Sequence, residues 1–159
     1  MTQYWLLKTE PGEFSIDDLA RKKRAFWDGV RNYQARNFLK DHMKSDDFVF
    51  IYHSSAKPSG IAGLARVTRT GLPDSSAWDP KSQYYDPKSS TKNPVWVTAE
   101  VEFLEKFSHF VGLEEIKKYK DKLKGLRLIK RGTRLSVQPV SHEHFHFLLT
   151  LGRQNDIRS

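Results

Sequence analysis

The chain has 159 residues, 38% of them apolar and 13% aromatic, contains no cysteine, and carries a formal net charge of +8. That length suits one domain, burying roughly 70% of the surface its unfolded form exposes, with no room for a second independent core. No apolar run approaches the ~20 residues of a membrane span and no signal-peptide pattern is present, so a cytosolic, nucleoid or nuclear protein is expected; lack of cysteine excludes disulfides, thiol catalysis and thiolate zinc sites.

Residues 3–7 read as a short strand. Ser15 then caps a helix, with Asp17 and Asp18 in its first turn, Phe14 placed to staple against Leu19, and Arg21 to Lys23 closing it. A second helix opens at Asn32, where Ala35, Phe38, Leu39 and Met43 repeat at helical spacing. Arg31, Asn32 and Gln34 then stand at a helix N-terminus, where free amides favour an anion or a carbonyl oxygen. Phe48 to His53 and Gly60 to Thr68 read as strands. Residues 71–94 form a long polar loop, a length that in a compact domain is functional or poorly ordered. From Val95 to Phe107 the pattern alternates, with Val95, Val97, Ala99, Val101 and Phe103 on one face of a half-buried strand. Residues 113–119 suit a short helix, Leu126 to Lys130 and Thr133 to Val140 read as strands around Gly132, and Ser141 caps a last helix ending at Gly152. Strands interleaved with short helices, without βαβ periodicity, give an α+β class with a curved, mostly antiparallel sheet. Residues 1–152 form the single domain and 153–159 a tail.

The positive charge is localised. Between Lys117 and Arg134 stand nine Lys or Arg against one acid, Asp121, and that difference of eight equals the net charge of the whole chain. Such a patch attracts polyanions, or is simply a solvated face; Arg21 to Arg24 extend it or serve the end of the first helix.

One stretch is built differently from the rest: Trp27-Asp28-Gly29-Val30-Arg31-Asn32-Tyr33-Gln34-Ala35-Arg36-Asn37 packs rings, amides and guanidinium groups together with almost no aliphatic content. Flat faces, paired donors and acceptors, and a fixed fork of N–H groups suit a planar heterocycle. This stretch resembles the signature of the EVE domain family, in the PUA-like superfamily. Tyr4 to Pro11, Phe14 to Leu19, Tyr52-His53-Ser54, Gly60 to Gly63, Asp79-Pro80, Tyr84 to Lys88 and Arg131 to Val140 follow in the family's order. The resemblance implies a compact PUA-like β-barrel with flanking short helices that binds nucleic acid, DNA or RNA, and holds a modified base, a modified cytosine foremost, without catalysing a reaction and without a cofactor.

Chemistry and resemblance together nominate the residues of that site. Rings would come from Trp5, Trp27, Tyr33 and Tyr52, although Trp5 and Trp27 also suit a core. Base-edge hydrogen bonds would come from Asn32, Gln34, His53, Ser54 and Ser136, beside the apolar Val30 and Leu135. Arg31 and Arg134 suit either a base edge or a phosphate. Phosphates would meet Lys8, Lys117, Lys118, Lys120, Lys130 and Arg131. The cavity is expected between the barrel and the second helix, rimmed by cations. Trp96 reads as a packing residue, and Trp78 as a lid or a bystander.

Other patterns carry less. His142-Glu143-His144-Phe145-His146 has the spacing of a helical zinc site, but only Asp156 follows as a carboxylate and no His follows as third ligand, so no metal is expected. Gly60 to Gly63 lacks the Lys-Ser or Lys-Thr of a phosphate loop, and Gly63 inside a strand marks close backbone approach instead. Two other functions remain open: an aromatic pocket for a methylated side chain or peptide, since rings suit quaternary ammonium groups, and an enzyme acting on nucleotides. The sequence does not give the oligomeric state. If the lysine patch meets phosphates, affinity for duplex DNA falls by about 0.9 log unit per log unit of salt for each phosphate engaged. A salt titration with a flat response removes the patch from the interface.

Overall fold

The structure is a computed structural model that describes residues 2–130 and 135–154. Its strands are β1 (Tyr4–Thr9), β2 (Arg24–Phe26), β3 (Phe48–His53), β4 (Gly60–Pro73), β5 (Val97–Gly112) and β6 (Val137–Val140). They form one six-stranded sheet in the order β2-β5-β4-β3-β1-β6. β1 runs parallel to β3, and every other pairing is antiparallel. Register shifts interrupt the β3–β4 ladder once and the β4–β5 ladder four times. Each such irregularity adds bend and twist, which curves the sheet. No pairing joins β2 to β6 among the described residues, so the sheet is barrel-like but not closed.

Local sequence sets the helices. α1 (Ile16–Lys22) starts on a capping box, in which the Ser15 hydroxyl accepts the Asp18 N–H and the Asp18 carboxylate accepts the Ser15 N–H. α2 (Tyr33–Asn37) starts on Asn32, whose side-chain oxygen accepts the Ala35 N–H. It then widens into a π turn over Phe38–His42, closed by the Met43 N–H on the Phe38 carbonyl at 2.8 Å. Leu39 and Met43, four apart, both face inward. α3 (Leu113–Lys118) follows β5 directly, and α4 (His142–Gly152) is capped by the Ser141 hydroxyl.

Strand alternation sends side chains to two cores on opposite faces of the sheet. In β1 and β3, Trp5, Leu7, Val49 and Ile51 enter the first, closed by Ile16 and Leu19 of α1 and by Ala35 and Leu39. Leu6, Phe50 and Tyr52 enter the second, closed by Ile116 of α3 and by Phe145, Leu148 and Leu151 of α4. Gly63 sits where the layers press closest: a Cβ there would lie 2.5 Å from the Glu105 carbonyl oxygen and 2.6 Å from the Ile16 side chain.

Several elements depart from the expectation. β4 continues to Pro73 and takes the start of the expected 71–94 loop, which then makes a 3-10 turn at Ser75–Trp78. Residues 126–130 are not a strand but a 3-10 turn at Arg127–Ile129; Leu123 and Leu126, three apart, are both buried, a spacing that needs a helical turn. Of the expected 133–140 strand, β6 is what the structure shows, and residues 133 and 134 lie outside those described. β2 was not foreseen. It lies along β5, where Arg24 pairs with Glu102 at 3.2 Å, and Arg21 pairs with Asp18, so these two cations have local partners.

Asp47, 1% exposed, joins the start of β1 to the start of β3. Its carboxylate accepts the Gln3 N–H at 3.0 Å, the Trp5 indole N–H at 2.9 Å and the Lys44 N–H at 2.8 Å. Asp47→Ala strands three donors and should cost about 3 kcal/mol, read as a lower urea midpoint at an unchanged denaturant slope.

Candidate functional site

A cleft of about 790 Å³ opens at the C-terminal ends of β1 and β3. Because these strands are parallel and β6 runs against β1, three chain segments end at the same rim: Lys8 and Thr9, then Ser54 and Ser55, then Ser136. The rim is tied by main-chain bonds from Lys8 N–H to the Ser136 carbonyl at 2.9 Å and from Ser54 N–H to the Thr9 carbonyl at 2.8 Å. Across from it stands the 26–30 segment that leaves β2. Trp27 is held there by its N–H on the Ala99 carbonyl, 2.7 Å, and by an edge-to-face contact with Phe14.

The fourth wall comes from the 79–96 loop, through Gln83 and Tyr84. Asp74 fixes its position. The side chain of Asp74 is fully buried and accepts the Gly29 N–H at 2.9 Å, the Arg31 guanidinium at 3.0 Å and the Ser76 N–H at 2.9 Å. Burial opposes the Asp74 charge, but the bonds from Ser76, Gly29 and Arg31 outweigh it and hold its pKa below the ordinary value. Arg31 carries the link onward, donating to the Tyr84 carbonyl from two nitrogens at 3.0 and 2.6 Å. The Tyr84 ring then lies against Gly29, whose φ is +84° and where any Cβ would sit 2.5 Å from the ring. Only glycine fits that position.

Asp28 lies between Trp27 and Gly29 on the cleft wall. It is open to water, yet protein crowds its carboxyl, a combination that belongs to a concave surface. Crowding and the nearby Asp74 charge raise its pKa, against weaker opposing effects of Thr98 and Arg31. The Lys8 ammonium is shifted down by burial and sits 5.8 Å from the centre of the Tyr52 ring.

Of the residues nominated from the sequence, the structure gathers Trp27, Val30, Ser54, Ser136 and Lys8 around this cleft, Trp27 and Val30 as members of the first core that are 7% and 4% exposed. It puts the others elsewhere. Trp5 is 2% exposed in the first core with its N–H on Asp47. Leu135 is in that core too, and Tyr52 is in the second. Arg31 is occupied by Asp74 and Tyr84, and Asn32 by the cap of α2. His53 Nε2 accepts the Ile16 N–H at 3.0 Å, and burial keeps its pKa low, as an accepting nitrogen requires. Tyr33, 58% exposed, stacks on Trp96 under Arg36, away from the cleft lining, and Gln34 is exposed beside it. Lys117, Lys118, Lys120 and Lys130 are exposed but do not line the cleft. Lys117 and Lys118 close α3, which covers the second core. Arg131 and Arg134 lie outside the described residues.

The cleft therefore differs from the expected cation-rimmed cavity beside the second helix. Its wall is the segment before α2, and it holds Glu10, Glu13 and Asp28 against one lysine. Asp28 and Tyr84 were missed as site residues, although signals existed. Asp28-Gly29 is a turn pair amid aromatic residues, and the 71–94 stretch is long enough to flag a functional loop. Among the described residues no group of three His, Asp or Glu is placed to hold a metal, and no helix is long and apolar enough to cross a membrane.

The model of the EVE domain family matches residues 3–151. Thymocyte nuclear protein 1 of Mus musculus is 41% identical over 169 residues, covering 95% of this chain and 74% of that protein. A solved structure of the human THYN1 protein in complex with 5-methylcytosine containing DNA is 38% identical and superposes with a TM-score of 0.90, over 97% of this chain and 99% of that one. A crystal structure of a Pseudomonas syringae protein, 46% identical, superposes with a TM-score of 0.89 over 94% and 99% of the two chains.

The raised pKa of Asp28 has a sign that stability can report. Below the ordinary carboxylate pKa the group is protonated in both folded and unfolded chains; above the raised value its ionised form opposes folding. Asp28→Asn should therefore raise the thermal midpoint at about pH 8 and change it less at about pH 3. Equal shifts at both pH values contradict this.

Proposed function

The chain belongs to the EVE domain family, and on that premise we propose that it binds DNA by admitting an unpaired or flipped modified base, a modified cytosine foremost, into the cleft at the ends of β1 and β3. The observation that carries this reading is the cleft's construction: ring walls from Trp27 and Tyr84, hydrogen-bonding edges between them, and a volume of about 790 Å³. That volume falls inside the roughly 300–1,000 Å³ range of small-molecule pockets. The structural likeness to human THYN1, solved with 5-methylcytosine containing DNA, supports the same ligand class.

Energetics assign the parts. Stacking contributes roughly 1–3 kcal/mol per base, and extracting a paired base costs a few kcal/mol, so rings alone leave little net affinity. The Ser136 hydroxyl and the Gln83 amide, which have no hydrogen-bond partner among the described residues, are available for the base edge. Lys8 at the rim and the exposed lysines around α3 are available for phosphates. Binding rather than catalysis is supported by the commitments already made: His53 serves the α1 N-terminus and Arg31 the cleft wall. A nuclear or nucleoid location accords with this function.

The acidic side of the cleft favours a second reading. Glu10, Glu13 and Asp28 beside aromatic walls also suit a methylated ammonium. A panel of 5-methylcytosine oligonucleotides and trimethyl-lysine peptides separates the two. The first reading expects oligonucleotides to bind and Tyr84→Ala to weaken them about tenfold or more, the loss of one stacking face. Peptide binding without oligonucleotide binding supports the second.

A further inference from the structure

Beside the Ser136 hydroxyl and the Gln83 amide, the cleft is lined by a carboxyl, Asp28. Asp28 lines the wall beside Trp27 and takes part in no ion pair among the described residues. Arg31, on its own segment, is already taken by Asp74 and the Tyr84 carbonyl. Glu10 and Glu13, the other acids of the cleft, lie on the connection between β1 and α1 and are exposed. The backbone that carries Asp28 is fixed on both sides, by Trp27 N–H on Ala99 and by Gly29 N–H on Asp74. Asp28 thus lines the cleft from a constrained backbone, with Thr98 hydrogen-bonding its carboxyl and no cation paired to it among the described residues.

We propose that Asp28 sets the base specificity of the cleft, one carboxyl oxygen accepting the exocyclic N4–H of a cytosine-type ring while the other shares a proton with ring nitrogen N3. This rests on the reading of the cleft as a base site and adds the group that chooses the base. Cytosine offers a donor at N4 and a basic acceptor at N3, and carboxylates accept from cytosine N4 where proteins read that base. The shared proton lies on the carboxyl or on N3; in the second case the pair is charge-assisted. Thymine carries its own hydrogen at N3 and an acceptor at O4; a protonated carboxyl turned over can bond it, but its N3 takes no proton, so thymine forms only the neutral pair where cytosine reaches the charge-assisted one. The two bases share the 5-methyl group, and the distinction falls on this edge alone.

The carboxyl is suited to holding that proton, since crowding and the Asp74 charge favour its protonated form. Other groups facing the site also titrate or carry charge. They are Lys8 on β1, Glu10 and Glu13 before α1, Arg31 after β2, Asp74 after β4, and Tyr84 on the loop. A pH effect is assigned to Asp28 only if its replacement removes it.

The test is fluorescence anisotropy of the full chain with single-stranded oligonucleotides that differ at one position, which holds 5-methylcytosine, thymine or an abasic site. The parent protein should prefer 5-methylcytosine to thymine by about tenfold or more, and its 5-methylcytosine binding should weaken as pH rises from about 6 to about 8.5, as a shared proton requires. Asp28→Asn presents an amide that reverses to match either base and shares no proton, so it should bind both strands alike with a flat pH response. Asp28→Ala should lose the preference and weaken 5-methylcytosine binding. Thermal melts check that both variants fold, and the parent's base and pH profiles stand without them. If the parent binds both bases alike but better than the abasic strand, or if the variants keep its preference, Asp28 is not the selector and the cleft is still a base site. If the abasic strand binds as well as the others, the base-site reading fails too.

Discussion

The buried pairing of Arg31 with Asp74 gives the cleft its shape. Neither residue has much freedom: the carboxylate also holds Gly29 and Ser76, and the guanidinium also holds the Tyr84 carbonyl. One charged pair thereby joins the segment after β2, the turn after β4 and the long loop before β5. Replacing a buried ion pair by apolar residues is often neutral for stability, so its use here is better understood as positional. The loop is also tied by Asp86, which accepts the Trp96 indole N–H at 2.7 Å and donates its N–H to the Ala77 carbonyl at 2.9 Å, but Arg31 is what holds the Tyr84 carbonyl itself.

The sheet divides the molecule's two chemical surfaces. The cleft lies at one end of β1 and β3 and draws its rings from the first core's side, through Phe14 and Trp27. The exposed lysines surround the elements that cover the second core. In the proposed function, attraction toward a polyanion and recognition inside the cleft fall to different residues on different faces. The cleft itself carries more acid than base, so it does not hold a phosphate chain by charge alone. Its selectivity comes from shape and hydrogen bonding, and long-range attraction comes from elsewhere.

Legibility followed the range of the interaction. The Ser15 and Asn32 caps and the apolar face of β5 at Val97, Ala99 and Val101 depend on neighbours a few residues away or on a strict period, and were readable; Gly63 marked a close approach, but not that it is to Glu105 and Ile16, each more than 40 positions away. β2 was not, because three residues with two exposed positions carry no period; it is a strand only because β5 lies beside it. The site divides in the same way. Trp27, Val30, Ser54 and Ser136 were nominated and do meet, whereas Trp5 and Tyr52 point into opposite cores, and alternation alone does not say which face is occupied by ligand. Arg31 was read as a ligand contact because its partner, Asp74, is 43 positions away. Tyr84 was recognised as part of a motif, but its place on the wall follows from that same distant pairing.

β6 has a consequence for biosynthesis. It is the last strand among the described residues, yet it covers the flank of β1, the first of them, and Ser136 just before it completes the rim. Until the ribosome has released that stretch, β1 exposes unpaired amides and carbonyls along one side, and the rim lacks a side. Such non-local pairing is slow, and a half-made sheet is prone to wrong partners. The rim of the cleft is thus completed only once β6 has been made and paired, and a product lacking it would leave one side of β1 open to wrong partners.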